Sequence, residues 1–461
     1  MAAAAGTAGW VRQPAVAGMF YPADPVALRA AVGQHVAGAS LVDPTRDPKA
    51  LIAPHAGYRY SGAAAGAAYR AVAGRRGRVD RVVLVGPAHR VPVEGVGVGV
   101  TTARSWRTPL GDVPVDVDAC HELVAAGRAV PADAAHEPEH SLEVHLPFLI
   151  EVLGPVAIVP LVVGHCSAGA VADALACTWG DDATLIVVSS DLSHYLPEGA
   201  ARRRDARTRL AIIEGRGDDI GPREACGHVA ISGLLLAARV HHLAPRTLAI
   251  ATSADASGDT RRVVGYGSFG FAPPSPLSEA EGRTLLARAR AALAHELATG
   301  EPDPLTDADV PDRLRLPSAT FVTLEREGEL AGCIGTLSPA RPLWRDVCLN
   351  ARGAAFTDPR FPPMVPADLD RTVVKVSVLS GLTPLPADRD AVIAALRPGI
   401  DGVVLEAGGH RGTFLPAVWN KLPGADRFLD HLVGKAGFDR PAWPEDVRVW
   451  RYTTVDFADA R

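Results

Sequence analysis

Apolar residues in the first half of this chain fall in short unbroken runs, as in Leu51–Ala53, Val82–Val85, Ile158–Val163 and Leu185–Val188. Runs of this length and composition suit strands buried on both faces of a parallel sheet. Ala-rich stretches, Ala63–Ala73 and Ala168–Thr178, lie between them and have helical composition. The alternation predicts an α/β unit, a mostly parallel sheet flanked by helices. Gly265–Phe271 reads as its last strand. Ala272-Pro273-Pro274-Ser275-Pro276 follows, and that segment cannot propagate a helix or a central strand.

A different pattern begins after the break. Ser278 and Glu281 form a capping box, and Leu286, Leu293 and Leu297 fall on one face of the helix it starts. Strand-like segments at 319–324, 373–379 and 447–453 are mixed irregularly with helices such as Asp426–Ala436. The second unit therefore reads as α+β, and residues 1–271 and 277–461 as separate units. A chain of 461 residues is too long for one ordinary core.

Composition narrows the classes. Hydrophobic residues make up 48% and charged residues 21%, a globular balance. A formal charge of −5 gives no reason to expect nucleic acid or an anionic membrane surface. Lysine occurs only at 49, 375, 421 and 435, so nearly all positive charge is arginine. No stretch reaches a membrane span of roughly 18 apolar residues, and the N-terminus has no basic residue ahead of an apolar core. Six cysteines stand far apart without a CxxC, as expected of reduced thiols in a cytoplasmic protein.

The chemical signal is histidine. Eight of the 15 lie between residues 55 and 194. His55, His89 and the pair Asp191/His194 each follow the end of a buried run, where open α/β sheets place their binding crevice. Cys226 joins them from further along the chain, with His228 close behind it. Imidazole, carboxylate and thiolate are the ligand set of iron, zinc and copper sites. A lone histidine after a strand is usually a hydrogen-bonded loop residue; five such groups at strand ends favour a metal. Asp191 and His194 can both ligate, one can serve as general base, or Asp191 can orient a ligand. A further cluster, His136-Glu137-Pro138-Glu139-His140-Ser141-Leu142-Glu143-Val144-His145, either lines the same pocket or forms an exposed, polar helix start. If it is helical, His140 and Glu143 share a face. In the second unit, Gly332-Cys333-Ile334-Gly335 is a strand entering a glycine turn. Its glycines admit a ligand or a neighbouring element, and Arg352, Asp358 and Arg360 are candidates to converge on Cys333.

These motifs resemble a known family. Val11-Arg12-Gln13-Pro14 through Pro22, Ala53-Pro54-His55-Ala56-Gly57-Tyr58, Gly86-Pro87-Ala88-His89, Glu139-His140-Ser141-Leu142-Glu143, Ser189 through Tyr195 and Cys226-Gly227-His228 resemble the MEMO family. The family in turn is similar in fold to class III extradiol dioxygenases. The resemblance implies a domain over 11–271 with His55, His89 and Cys226 as metal positions and Asp191 and His194 beside them as catalytic groups. Cys226 stands where the dioxygenases use a carboxylate. Ala331-Gly332-Cys333-Ile334-Gly335-Thr336-Leu337, Asp358-Pro359-Arg360-Phe361-Pro362-Pro363, Val376–Ser380 and Gly412–Pro416 resemble the AMMECR1 family, implying a second domain over 278–456 after a linker at 272–277. Fusions of the two resemble the AmmeMemoRadiSam system, in which a radical SAM protein is the partner. The expected ion is Fe(II), with copper or zinc as alternatives. The expected activity is a dioxygenase-like oxidoreductase acting on a small molecule. The alternative is a non-catalytic metal-binding or redox module.

Overall fold

The computed structural model describes residues 10–40, 47–307, 309–438 and 443–459. The opening segment read as lacking a leader, residues 1–9, lies outside them. The chain divides into two compact units, Met1–Pro274 and Ser275–Arg461. Among the described residues, no helix is long and apolar enough to cross a membrane.

The first unit is built on a nine-stranded sheet. Its strands are β1 (Ala50–Ala53), β2 (Arg81–Pro87), β3 (Val98–Val100), β4 (Val130–Pro131), β5 (Ala157–Val163), β6 (Thr184–Ser189), β7 (His194–Leu196), β8 (Ala244–Thr252) and β9 (Val263–Ala272). They lie in the order β7-β9-β1-β6-β2-β5-β3-β4, with β8 on β9. The four central strands β1, β6, β2 and β5 are mutually parallel. Val82–Val85 and Leu185–Val188 have no solvent exposure, as burial on both faces requires. Outside that centre, β9 runs antiparallel to β1, β7 and β8, and β3 runs antiparallel to β5. The sheet is thus mixed: the expected parallel pattern holds at the centre, where long apolar runs are joined through crossover helices, and in the short β3–β4 pair. Those crossovers include α1 (Tyr58–Arg70) and α2 (Ala168–Thr178); α3 (Glu198–Ile213) and α4 (His228–Val240) follow.

Parallel register sets the site. Ala53 pairs with Ser189 and Val85 with Val188. β1, β6 and β2 therefore finish side by side, and the residues just beyond them share one edge.

The second unit holds two four-stranded sheets in which every pairing is antiparallel. One contains β10 (Thr320–Arg326), β11 (Glu329–Gly335), β12 (Thr372–Leu379) and β17 (Thr454–Ala458). The other contains β13 (Thr383–Leu385), β14 (Gly402–Ala407), β15 (His410–Phe414) and β16 (Arg448–Tyr452). Ser278 and Glu281 form the capping box that opens α5 (Glu279–Thr299). Leu286 and Leu293 of α5 are buried with Val347 of α6 (Leu343–Arg352) over Val322, Val374 and Val376 of the first sheet. On the second sheet, Phe428, Leu429 and Leu432 of α7 (Ala425–Lys435) are buried with Val403, Leu405 and Val449.

Candidate metal centre

His55 comes two residues after β1, His89 two residues after β2, and His140 from the long turn ahead of Glu143. One ligand nitrogen from each lies within 4.8 Å of the other two. The ring centroids are 5.1 Å apart for His55 and His89, 5.5 Å for His55 and His140, and 5.0 Å for His89 and His140. His55 is buried, while the His89 side chain is 30% exposed, so the cluster opens to solvent on the His89 side. Phe20, from the N-terminal motif, packs on the His140 ring at 4.8 Å.

A second layer of polar groups holds these rings. Ser189 Oγ, at the end of β6, donates its proton to the Ser141 carbonyl at 2.6 Å. It lies 2.6 Å from His55 Nδ1 and 2.9 Å from His145 Nε2. Tyr69 OH lies 2.9 Å from His145 Nδ1. One assignment satisfies every group: both imidazoles donate to Ser189, and Tyr69 donates to His145. His55 Nε2 is then left with a free lone pair. Burial, reinforced by the neighbouring imidazoles of His89, His140 and His145, drives the His55 pKa well below its ordinary value. It is a neutral imidazole, the form that ligates a metal.

His89 is held by Glu139. The carboxylate accepts the His89 amide at 2.5 Å and faces His89 Nδ1 at 3.0 Å. It also accepts the amides of His140 and Ser141 and lies 3.1 Å from His140 Nδ1. Burial alone would raise the Glu139 pKa, but the bonds from His140 and His89 outweigh it and hold the carboxyl well below the ordinary range. A carboxylate on Nδ1 turns Nε2 outward and makes the ring a better donor. Glu139 is in turn positioned by Arg12, which is fully buried. Its guanidinium donates to the carbonyls of His136 at 2.8 Å and Glu139 at 2.5 Å, and pairs with Glu143 at 2.8 Å. Glu143 also accepts the amides of Ala15 and Val16 and the Tyr21 hydroxyl.

The segment 136–145 is therefore a buried support rather than an exposed helix start. His140 and Glu143 do not share a face: one enters the cluster and the other an ion pair beneath it.

Asp191, Cys226 and His194 are not members of the histidine group, although Asp191 and Cys226 both contact His55. Asp191 Oδ1 accepts the His55 amide at 2.8 Å, fixing the backbone that carries the ligand. Burial raises its pKa, against the pull of the His55 amide and of His194, His140 and His89. Cys226 Sγ lies 3.4 Å from His55 Nε2 and accepts the Asp191 amide at 3.3 Å. Burial, with the nearby Asp191 charge, pushes its thiol up to about 12. A Cβ on Gly227 would sit 2.7 Å from the Ser189 carbonyl oxygen, so only glycine lets this turn bring Cys226 so close. His194 opens β7 opposite Val264, followed by Tyr195 in the left-handed region at φ 57°.

Residues 12–270 match the family described as Memo-like protein, and residues 286–457 match AMMECR1. The chain belongs to the Memo-like protein family. A MEMO1 family protein of Methanothermobacter thermautotrophicus is 35% identical over 278 residues, which are 56% of this chain and 98% of that protein. A MEMO1 family protein of Sulfolobus acidocaldarius is 36% identical over 290 residues, 57% of this chain and 99% of its own length. The crystal structure of an uncharacterized protein from Pyrococcus horikoshii is 31% identical, covers 40% of this chain and 93% of that one, and gives a TM-score of 0.38.

The Memo-like domain thus carries three histidines positioned to bind a metal ion. Of the expected triad, His55 and His89 are in the group, and its third nitrogen is His140. Cys226 adjoins it through His55. Ser189, His145, Tyr69 and Arg12 belong to the site's support and were not legible as such. A serine at a strand end or an arginine in a two-residue N-terminal strand carries no local sign of what it will touch.

The AMMECR1 domain has its own cluster. Asp358 and Arg360 do meet at Cys333, whereas Arg352 pairs with Glu296. A Cβ on Gly332 would lie 2.1 Å from the Ala354 carbonyl oxygen, and one on Gly335 2.3 Å from the Phe321 ring. Neighbouring elements, then, account for both glycines.

Proposed function

We propose that the Memo-like domain is a mononuclear non-heme metal oxidoreductase of the dioxygenase-like kind, with iron as its ion. The observation that carries this reading is the trio of imidazoles whose ring nitrogens converge within 4.8 Å on an opening to solvent. The donor set fits a transition metal: neutral nitrogen donors, a sulfur 3.4 Å from one of them, and outer groups that orient two of the rings. A bound ion would supply Lewis acidity and a redox couple at that point.

The chain's own groups divide the remaining work. His55 and His89 present nitrogens oriented by Ser189 and Glu139, and Cys226 stands where it can add a thiolate. Asp191 holds the backbone of His55. His194, outside the histidine group, is assigned the movement of a proton. The resemblance in sequence motifs to a family similar in fold to extradiol dioxygenases supports oxygen as co-substrate, and the fusion with an AMMECR1 domain supports a radical SAM protein as partner. That partnership is checked by calorimetric titration of the full chain with such a protein.

The decisive experiment is purification without chelators, metal analysis, anaerobic loading with Fe(II), and measurement of O₂ uptake. One iron per chain with O₂ uptake is expected. A tightly held zinc or copper with no O₂ uptake would replace this reading by that of a non-catalytic metal module.

A further inference from the structure

In the AMMECR1 domain, β10, β11, the turn at 358–360, β15 and the end of α7 surround an open cavity of about 460 Å³. Its lining combines apolar side chains, Phe321, Ile334 and Leu337, with the cations Arg360, Arg411 and Lys435, and half-buried Cys333 belongs to the same lining.

The charges do not cancel. Among the described residues, Asp358 is the one carboxylate in the lining, and it is already engaged. It accepts the Cys333 amide at 2.9 Å and the Arg360 guanidinium at 2.9 and 2.7 Å. Among the described residues, Arg411 pairs with Glu406 at 3.7 Å, and Glu406 does not line the cavity. Lys435 donates to a neutral group, the Thr413 carbonyl, at 2.8 Å and lies 5.0 Å over the Phe414 ring. Burial lowers its pKa, with the Arg360 charge acting in the same direction. Arg360 and Asp358 thus offset one another, and among the described residues of the lining Arg411 and Lys435 are left without a carboxylate there, beside apolar side chains. The Cys333 sulfur accepts a hydrogen bond from Thr323 at 3.4 Å, so it is oriented as well as accessible.

We propose that this cavity binds a small organic oxyanion, a carboxylate or phosphate ester with an apolar body. Its charged end lies on Lys435 and Arg411, its body on Phe321, and the Cys333 thiol stands beside it. This site is separate from the histidine cluster and independent of the metal reading.

The test uses the full chain and two alkylating agents, anionic iodoacetate and neutral iodoacetamide, with rates read at each cysteine by peptide mass spectrometry. The ratio of the two rates at one thiol cancels its thiolate fraction. Exposed Cys177 is the internal reference. The iodoacetate-to-iodoacetamide ratio should be at least about tenfold higher at Cys333 than at Cys177, because a focused positive field raises local anion concentration by that order. Lys435→Gln and Arg411→Gln should each reduce it, and Lys435→Arg should retain it. Phenyl phosphate or benzoate should protect Cys333 and leave Cys177 unaffected; which one protects at lower concentration separates phosphate from carboxylate. Equal ratios at the two thiols, indifference to both glutamine variants, or no protection by either anion would overturn the proposal.

Discussion

His55 Nδ1 lies 2.6 Å from Ser189 Oγ, and this contact decides which nitrogen of His55 faces the cluster. Ser189 has one proton, and it goes to the Ser141 carbonyl. Both His55 and His145 must then donate to it. Ser189→Ala removes the acceptor for two buried N–H groups and frees the His55 ring to take the wrong tautomer. Metal affinity should fall about 10–100-fold, the usual cost of losing an outer-layer partner. Competition with a chromogenic chelator measures this. Unchanged affinity would show that packing alone orients His55.

His140 should matter as much as the two histidines at strand ends. His55→Ala, His89→Ala and His140→Ala are each expected to lose most bound metal while remaining folded, because no other group fills the vacant position. Cys226→Ser is expected to weaken binding by removing the adjoining sulfur. Metal analysis after gel filtration reads all four proteins. Full occupancy in Cys226→Ser would leave a shell of three imidazoles; full occupancy in His140→Ala would return that place to the thiol.

His194 stands outside the histidine group, so His194→Ala should keep its metal and lose reactivity, by roughly 10²–10⁴-fold for a missing acid–base group. Asp191→Asn retains an acceptor for the His55 amide, so its metal should also remain. If His194→Ala comes off the column as metal-free as His55→Ala, His194 is a ligand.

Much of this was legible in sequence. Unbroken apolar runs ending in His55, His89 and Asp191 give both the central strands and one edge of the site, because parallel register turns similar strand ends into neighbours. The Ser278 capping box and the proline-rich break read directly as well. His140 was harder. It reaches the cluster from a turn with neither a 3.6- nor a 2-residue period, so its neighbourhood alone could not rank it against Cys226. The antiparallel flanks were invisible for a related reason: direction in a sheet is decided by connections, not by the composition of a strand.

Acid sensitivity should come in part from a histidine with no metal role. His136 is fully buried, with Nε2 against the Gly99 carbonyl at 3.0 Å and Nδ1 without a hydrogen-bond partner among the described residues. Burial lowers its pKa to about 4. Unfolded, it would titrate near its ordinary value of 6.5. Between those values the unfolded chain binds the proton and the folded chain does not, so stability falls as pH drops from 6.5 towards 4. The loss reaches up to about 3 kcal/mol, at 1.36 kcal/mol per pH unit. His136→Gln should be less stable at pH 7 and show a shallower decline across that window. Urea midpoints at half-unit steps check this, and an identical slope in wild type and variant would remove His136 as the cause.

Arg12 ties the short N-terminal strand Val11–Arg12 to the whole support. It is buried with Glu143, and its other donors hold the carbonyls of His136 and Glu139, so one side chain fixes the turn that carries both Glu139 and His140. Its guanidinium also lies 4.2 Å over the Trp106 ring. Arg12→Met keeps the apolar stem but leaves a carboxylate without its counter-charge and two carbonyls without donors. Breaking a buried pair from one side costs about 3–5 kcal/mol, and the first unit's urea midpoint should drop accordingly. Arg12→Met with Glu143→Gln should recover part of that stability, since glutamine needs no counter-charge. It should not recover metal affinity, because the carbonyl of Glu139 still lacks its tether. A double variant that regains stability and metal together would show that Arg12 acts only through Glu143.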